Sequence, residues 1–414
     1  MEFHQLKGLC ASMLFNLIDA VCLCIAWLIL ELTLLVVLIK GRNHVDCKKQ
    51  IIIFANEPLG DTIIKLPFFI AMRKLFVNDN YHIVAVLSPQ TAPVFTALGC
   101  FDEVISEDLP PCKHVIFWTI GRGILVAKAL RWAFRNKAEV FMACDRYRDL
   151  GCDFAHRLCK PYLSIAYDSS KIASIFPLSA IYQKQCCDRL YTHLLSPSCS
   201  NQIDDTFAFL SFAVGRTIRP SIPTRNELSS ILDMSIAEDL NSRFGEYIVL
   251  TPGAGASYRK WPTKRFAALT ERIGGKFVIV GAKAESSLAA EIAAESGQTI
   301  IDLCGRTNIM QLLGVLSQAQ MVITNETGTA TCSAMLGART VCILGGGDFG
   351  SFFPNVYFKN VVSVFHKESC FACGWKCTKE DIQTSTVAPC INSITVEDVF
   401  RAVNESNGND STKM

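Results

Sequence analysis

Thr251-Pro-Gly-Ala-Gly-Ala-Ser-Tyr-Arg-Lys-Trp-Pro262 is the stretch whose reading decides the fold. It follows a short apolar run at 247–250 and precedes an amphipathic segment, so it reads as a glycine-rich turn between a strand and a helix. Glycines such as Gly253 and Gly255 let backbone N–H groups approach a ligand closely, and the neighbouring Arg259 and Lys260 supply positive charge. A phosphate-bearing ligand needs that combination. About 65 residues beyond Lys260, Asn325-Glu-Thr-Gly328 stands at a second strand-to-helix junction. Two such turns in one alternating unit point to a site for a nucleotide-type ligand.

Outward from this turn, apolar runs at 247–251, 277–280, 299–302, 321–324 and 340–344 read as strands, and 263–272, 284–295, 309–317 and 328–336 as helices. Five strands in about 100 residues make a Rossmann-like parallel sheet. The first half of the chain shows the same alternation. Strands fit 50–54, 82–87, 115–118 and 138–143, and a helix fits 123–134. Asp61 opens another helical pattern that runs to residue 76, and Pro67 predicts a late or kinked start for it. Periodicity fades over 168–205, returns as a helix at 205–214, and gives way at 216–225 to a linker with Pro220 and Pro223.

The 414 residues exceed one ordinary core and suit two domains, expected over 46–225 and 226–404. A net charge of +2 gives no global field that favours nucleic acid. Residues 21–39 hold thirteen Leu, Ile and Val and a single charge, Glu31. Each such apolar residue favours insertion by roughly 0.3–0.6 kcal/mol, against roughly 2.5–3.5 for a central acid, so the sum favours a membrane span. Lys40, Arg42, Lys48 and Lys49 follow the segment while Lys7 alone precedes it. The expectation is a membrane anchor over 1–45 in the inner membrane, with the body of the protein on the cytoplasmic side. An in-plane amphipathic helix is the alternative, favoured by Asp19 and Glu31. Nineteen scattered cysteines suit a reducing compartment, most of them as small buried apolar groups. The polar residues 405–414 read as a disordered tail.

The order and spacing of these motifs resemble glycosyltransferase family 9, the ADP-heptose:lipopolysaccharide heptosyltransferases and their relatives. Leu59-Gly-Asp61 with Pro67 resembles the family's opening turn. Thr251-Pro-Gly with Lys260-Trp-Pro and Arg265-Phe266 resembles its glycine-rich turn. Val280-Gly281 with Glu285, Leu303-Cys-Gly-Arg-Thr307 and Asn325-Glu-Thr-Gly328 resemble three further elements, and the likeness spans roughly 51–403. It implies a GT-B architecture, two Rossmann-like domains facing a cleft. It also implies inverting transfer of a sugar from a nucleotide-activated donor to a lipopolysaccharide-type or other lipid-linked acceptor, with no cofactor needed for catalysis. An NAD-dependent oxidoreductase would suit two such sheets too, but no Gly-x-Gly-x-x-Gly follows either first strand. A non-catalytic nucleotide-sugar-binding homologue is the remaining alternative.

The resemblance makes Asp61 the base that takes the acceptor proton. An aspartate before a helix is also a common N-cap. Lys260, with Arg259 as a second candidate, would face the donor diphosphate. Glu285 would accept ribose hydroxyls, although a first-turn glutamate is also favoured by the helix dipole. Gly253, Gly255, Glu326, Thr327 and Gly328 complete the donor set. Glu326 and Thr331 stand where the family has Asp and His, and the Gly345-Gly-Gly-Asp348 turn departs from its Gly-Pro-Thr-Asp. These departures predict a donor sugar other than heptose, of hexose type. Cys370, Cys373, Cys377 and Cys390, with Gly374 between them, form a candidate structural zinc or iron–sulfur site, or else remain thiols or pair as a disulfide.

Overall fold

Residues 51–55 are all fully buried apolar side chains, or nearly so, and such a run is stable as a strand covered on both faces by helices. A computed structural model describes residue 21 and residues 49–76, 81–106, 138–146, 148, 150–168, 183–196, 201–379 and 387–408. The first half contains β1 (Gln50–Ala55), α1 (Leu59–Ile63), α2 (Leu66–Phe76), β2 (His82–Leu87), α3 (Ala92–Ala97), β3 (Glu103–Ser106), β4 (Ala138–Ala143), α4 (Leu150–Cys159), β5 (Leu163–Tyr167), β6 (His193–Leu195) and α5 (Gln202–Val214). The second contains α6 (Ser235–Phe244), β7 (Ile248–Thr251), α7 (Thr263–Ile273), β8 (Lys276–Ile279), α8 (Ser286–Glu295), β9 (Thr299–Asp302), α9 (Ile309–Gln318), β10 (Met321–Asn325), α10 (Gly328–Met335), β11 (Thr340–Ile343), β12 (Val361–Val364), α11 (Pro389–Asn392) and α12 (Val396–Gly408).

Each half folds around a six-stranded sheet, ordered β3-β2-β1-β4-β5-β6 in the first and β9-β8-β7-β10-β11-β12 in the second. Every strand pair is parallel. The two orders are the same, and each reverses direction between its first and fourth strands. That reversal opens a crevice at the carboxyl ends of β1 and β4, and another at those of β7 and β10.

The second sheet has six strands where the sequence suggested five. β12 was missed because it is four residues long and mostly half-buried. Pro67 does not kink one helix but sits in the first turn of α2, separated from α1 by a short break. α5 begins at Gln202, three residues earlier than expected, because Asn201 caps it by accepting from the Asp204 amide at 2.9 Å. α12 extends through Gly408, so residues 405–408 are helical where a disordered tail was expected. Residues 409–414, the strand and helix expected at 115–118 and 123–134, and the anchor expected over 1–45 (residue 21 apart) lie outside the described residues. Among the described residues no helix is long and apolar enough to cross a membrane.

Under the first sheet, α4 carries a buried polar group. Arg148 reaches Asp153 and Asp188 at 2.5 Å each and lies 4.6 Å from the Tyr191 ring centre. His156 stacks on Tyr191 at 4.1 Å and meets Phe141 edge-on at 5.2 Å, and among the described residues neither of its ring nitrogens has a hydrogen-bond partner. Burial, helped by the Arg148 charge, pulls the His156 imidazole down to about 4. The unfolded chain therefore takes up a proton near pH 6.5 while the folded protein does not, and stability present above pH 6.5 is lost as pH falls toward 4. The expected loss from this residue is about 3 kcal/mol. Urea unfolding of the parent and of His156→Phe at pH 7 and pH 4.5 should show a smaller acid loss in the variant; equal losses would contradict this reading.

Candidate active site

The two crevices face each other across one cleft of about 660 Å³. Their walls touch at two glycines. A Cβ on Gly60 would lie 3.0 Å from the Gly328 Cα, and a Cβ on Gly328 would lie 3.0 Å from the Gly60 nitrogen. Any larger residue at either position would push α1 and α10 apart.

From the first sheet, Asn56, Glu57, Gly60 and Asp61 reach the cleft after β1, and Asp145 and Arg146 reach it after β4. The N-cap of α1 is Pro58, so Asp61 is a first-turn acid at the cleft wall and not the cap. Burial pushes its carboxyl up to about 6; Gln202 and Arg259 work against that rise and Asp348 adds to it. Behind this wall, buried Glu57 is paired with buried Lys65 and accepts the Arg146 amide at 2.8 Å. The Arg146 guanidinium bonds Ser351 Oγ at 3.0 Å and lies 3.7 Å from Asp205.

From the second sheet, Gly255 and Arg259 line the cleft after β7, and Glu326, Thr327, Gly328 and Thr331 after β10. Thr327 is the N-cap of α10, but its hydroxyl makes no cap bond. Glu326 is buried, and neither carboxyl oxygen has a hydrogen-bond partner among the described residues. Arg259 comes within 3.9 Å of that carboxyl and donates to the Glu326 carbonyl at 3.1 Å. Burial pushes the Glu326 carboxyl up to about 8, opposed by Arg259 and reinforced by Asp348, so at neutral pH it carries its proton.

The other expected site residues fall nearby. Lys260 is half-exposed just past the turn Ser257–Arg259, makes no ion pair among the described residues, and does not line the cleft; Arg259 is the cation that does. Glu285 accepts the Ala282 amide at 2.8 Å, which is the capping role its position allowed. Its carboxylate lies against Gly253 and Gly281, where a side chain would collide with it. Gly253 and Glu285 therefore pack together beside the cleft without lining it. Asn325 joins the two turns of this wall: it accepts the Trp261 amide at 3.1 Å and donates to the Pro252 and Gly253 carbonyls at 2.8 and 3.3 Å.

Of the readings open for the cysteine cluster, the structure has free thiols at Cys370, Cys373, Cys377 and Cys390. Among the described residues no group of three or more His, Cys, Asp or Glu is placed to hold a metal, and this covers Cys370, Cys373, Cys377 and Cys390. Aromatic packing and backbone bonds shape the loop instead. Cys390 accepts the Gly346 amide at 3.4 Å, while the Ala372 and Gly374 amides bond the Gly346 and Gly347 carbonyls at 2.7 and 2.9 Å. Trp375, left-handed at φ 60°, packs on Gly345 and Gly347. Its indole N–H bonds Asp348 at 2.7 Å, and its ring lies 4.8 Å from the Arg259 guanidinium. The bare backbone of Gly345 and Gly347, in the turn that departs from the family's Gly-Pro-Thr-Asp, seats this indole. Asp145, Arg146 and Trp375 belong to no motif read from the sequence. The rule that ligands bind at the carboxyl ends of strands would have found the first two, which follow β4.

With this geometry in hand, residues 217–381 match the profile of Glycosyltransferase family 9 (heptosyltransferase). No curated protein matches the chain. Among solved structures, the family 9 glycosyl transferase from Veillonella parvula is 16% identical with a TM-score of 0.62, covering 87% of this chain and 97% of its own. The E. coli ADP-heptose lps heptosyltransferase II is 12% identical, with a TM-score of 0.58 and coverage of 88% and 100%. The E. coli heptosyltransferase WaaC with ADP is 15% identical, with a TM-score of 0.60 and coverage of 86% and 99%. At such identities the likeness is one of fold: a GT-B-like pair of parallel α/β sheets. The chain resembles family 9, as its motifs suggested.

The Asn325 bonds generate a prediction. Asn325→Leu leaves the Trp261 amide and two carbonyls unpaired in the interior and should destabilise the protein by about 3 kcal/mol. Asp61→Asn, at the cleft wall, should change stability by less than about 1 kcal/mol. Chemical unfolding of the two variants checks both; similar small losses would show that the turns hold without Asn325.

Proposed function

We propose, taking the family 9 likeness as premise, that this chain is an inverting glycosyltransferase that moves a sugar from a nucleotide-activated donor to a lipid-linked or lipopolysaccharide-type glycan. We place the reaction at the cytoplasmic face of the inner membrane, with residues 1–45 as the anchor. The observation that carries the reading is that Asp61 from one sheet and Glu326, Thr327 and Gly328 from the other line the same cleft. In this reading the donor diphosphate lies against the first-turn amides of α10, which a helix start leaves without internal partners. Arg259, with Lys260 one residue on, neutralises it. Glu285 meets the ribose through the oxygen not engaged with Ala282. Asp61 accepts the proton of the acceptor hydroxyl as that oxygen attacks the anomeric carbon. The bond from that carbon to the diphosphate breaks, and the nucleoside diphosphate leaves with the electron pair. Attack from the face opposite the leaving group inverts the anomeric centre. Protonated Glu326 donates to a hydroxyl of the donor sugar. With Thr331 in place of an imidazole, the pocket favours a hexose over heptose.

Two measurements test this. A panel of nucleotide sugars should raise the melting temperature, a hexose donor more than ADP-heptose; stabilisation by none of them would remove the donor site, and the largest rise with ADP-heptose would return the sugar to heptose. Asp61→Asn should slow transfer by about 10²–10⁴-fold while the donor-induced thermal shift persists. In the parent, activity should climb as pH rises through about 6, where Asp61 loses its proton. Near-normal turnover by the variant would rule out Asp61 as the base.

A further inference from the structure

The two walls of the cleft differ in charge. On the first-sheet wall the carboxyl groups of Asp61 and Asp145 stand among the amides Asn56, Gln90 and Gln202, while the Glu57 carboxylate is taken up by Lys65. Among the described residues, the one cation from that half in the lining, Arg146, is already engaged by Asp205 and Ser351. Lys65 lies behind the wall, almost wholly buried and bound to Glu57. The cation that faces the cleft from the other wall, Arg259, sits beside Glu326 and α10, where the donor diphosphate is proposed to bind.

We propose that the acceptor of this cleft is an uncharged sugar, one that presents hydroxyl groups and carries no phosphate or carboxylate near the reacting hydroxyl. The inference rests on the glycosyltransferase reading and narrows its acceptor. Carboxylates and amides accept hydrogen bonds from sugar hydroxyls, and amides also donate to them, so a neutral polyol is satisfied along this wall. An anion there meets the Asp61 and Asp145 carboxyl groups, with the lining guanidinium already committed, and like charges repel in a partly dry cleft. It would also hold the proton on Asp61, whose carboxyl must be free to act as base. The donor diphosphate brings negative charge of its own, which the cations of the second wall must meet first.

The test uses the full chain in detergent, first titrated with ADP and UDP by calorimetry. Octyl glucoside, octyl galactoside and octyl mannoside are then compared with the matching octyl uronides and 6-phosphates, in the nucleotide-saturated protein, by ligand-observed NMR. The expected result is that at least one neutral glycoside binds tenfold or more tightly than both of its anionic partners. Asp145→Asn should narrow that gap, as should raising the salt. Uronides or phosphates that bind as well as or better than the neutral glycosides overturn the inference, as does the absence of binding by all of them. Failure of both nucleotides to bind sinks the glycosyltransferase reading itself. Nucleotide binding together with a preference for anionic glycosides sinks the acceptor inference alone.

Discussion

The contact between Gly60 and Gly328 is the constraint on which the site depends. Backbone meets backbone there with no side chain between, and this brings the first turn of α1 and the first turn of α10 into one cleft. Each helix starts at the topological reversal of its own sheet, so the glycine contact joins two crevices that a single Rossmann-like domain would present separately. With them come the Asp61 carboxyl from one half and the start of α10 from the other, lining the same cleft.

Charge then divides the labour of the cleft. Burial raises both Asp61 and Glu326, but by different amounts. One is ready to lose its proton near neutrality, and the other keeps it. Asp348 contributes to both rises, and its position is set by the Trp375 indole, which also faces Arg259. The loop that carries Trp375 thus reaches the chemistry through two hydrogen-bonded or stacked neighbours, although none of its cysteines does.

The sheets were legible from the sequence because their strands are continuous apolar runs flanked by turn residues. Eight strands, at 50–55, 82–87, 138–143, 248–251, 276–279, 299–302, 321–325 and 340–343, fall within a residue or so of expectation. Short edge or partly covered strands such as β6 and β12 were not legible, since three or four residues with few buried side chains carry no period. Gly60, Gly328 and Asp61 could be read from their place at strand-to-helix turns. Arg146, just past β4, falls under the same rule, but its partners Ser351 and Asp205 lie more than fifty residues away and carry no local signal, and Trp375 acts through glycines nearly thirty residues before it. Thiol spacing suggested a metal at the Cys370–Cys390 stretch, whereas the physical organiser is an indole packed on bare backbone. The protonation of Glu326 was likewise out of reach, because burial, the largest cause, and the approach of Arg259 and Asp348 are set by the fold.

The most direct test of the central claim is a structure with a nucleoside diphosphate bound. The account predicts phosphate oxygens within about 3 Å of the Gly328 or Thr329 amide. The Arg259 guanidinium should lie against the same phosphates, and the Asp61 carboxyl should face the side of the cleft away from them. A nucleotide seated on the first sheet, or anywhere that leaves the start of α10 untouched, would contradict it.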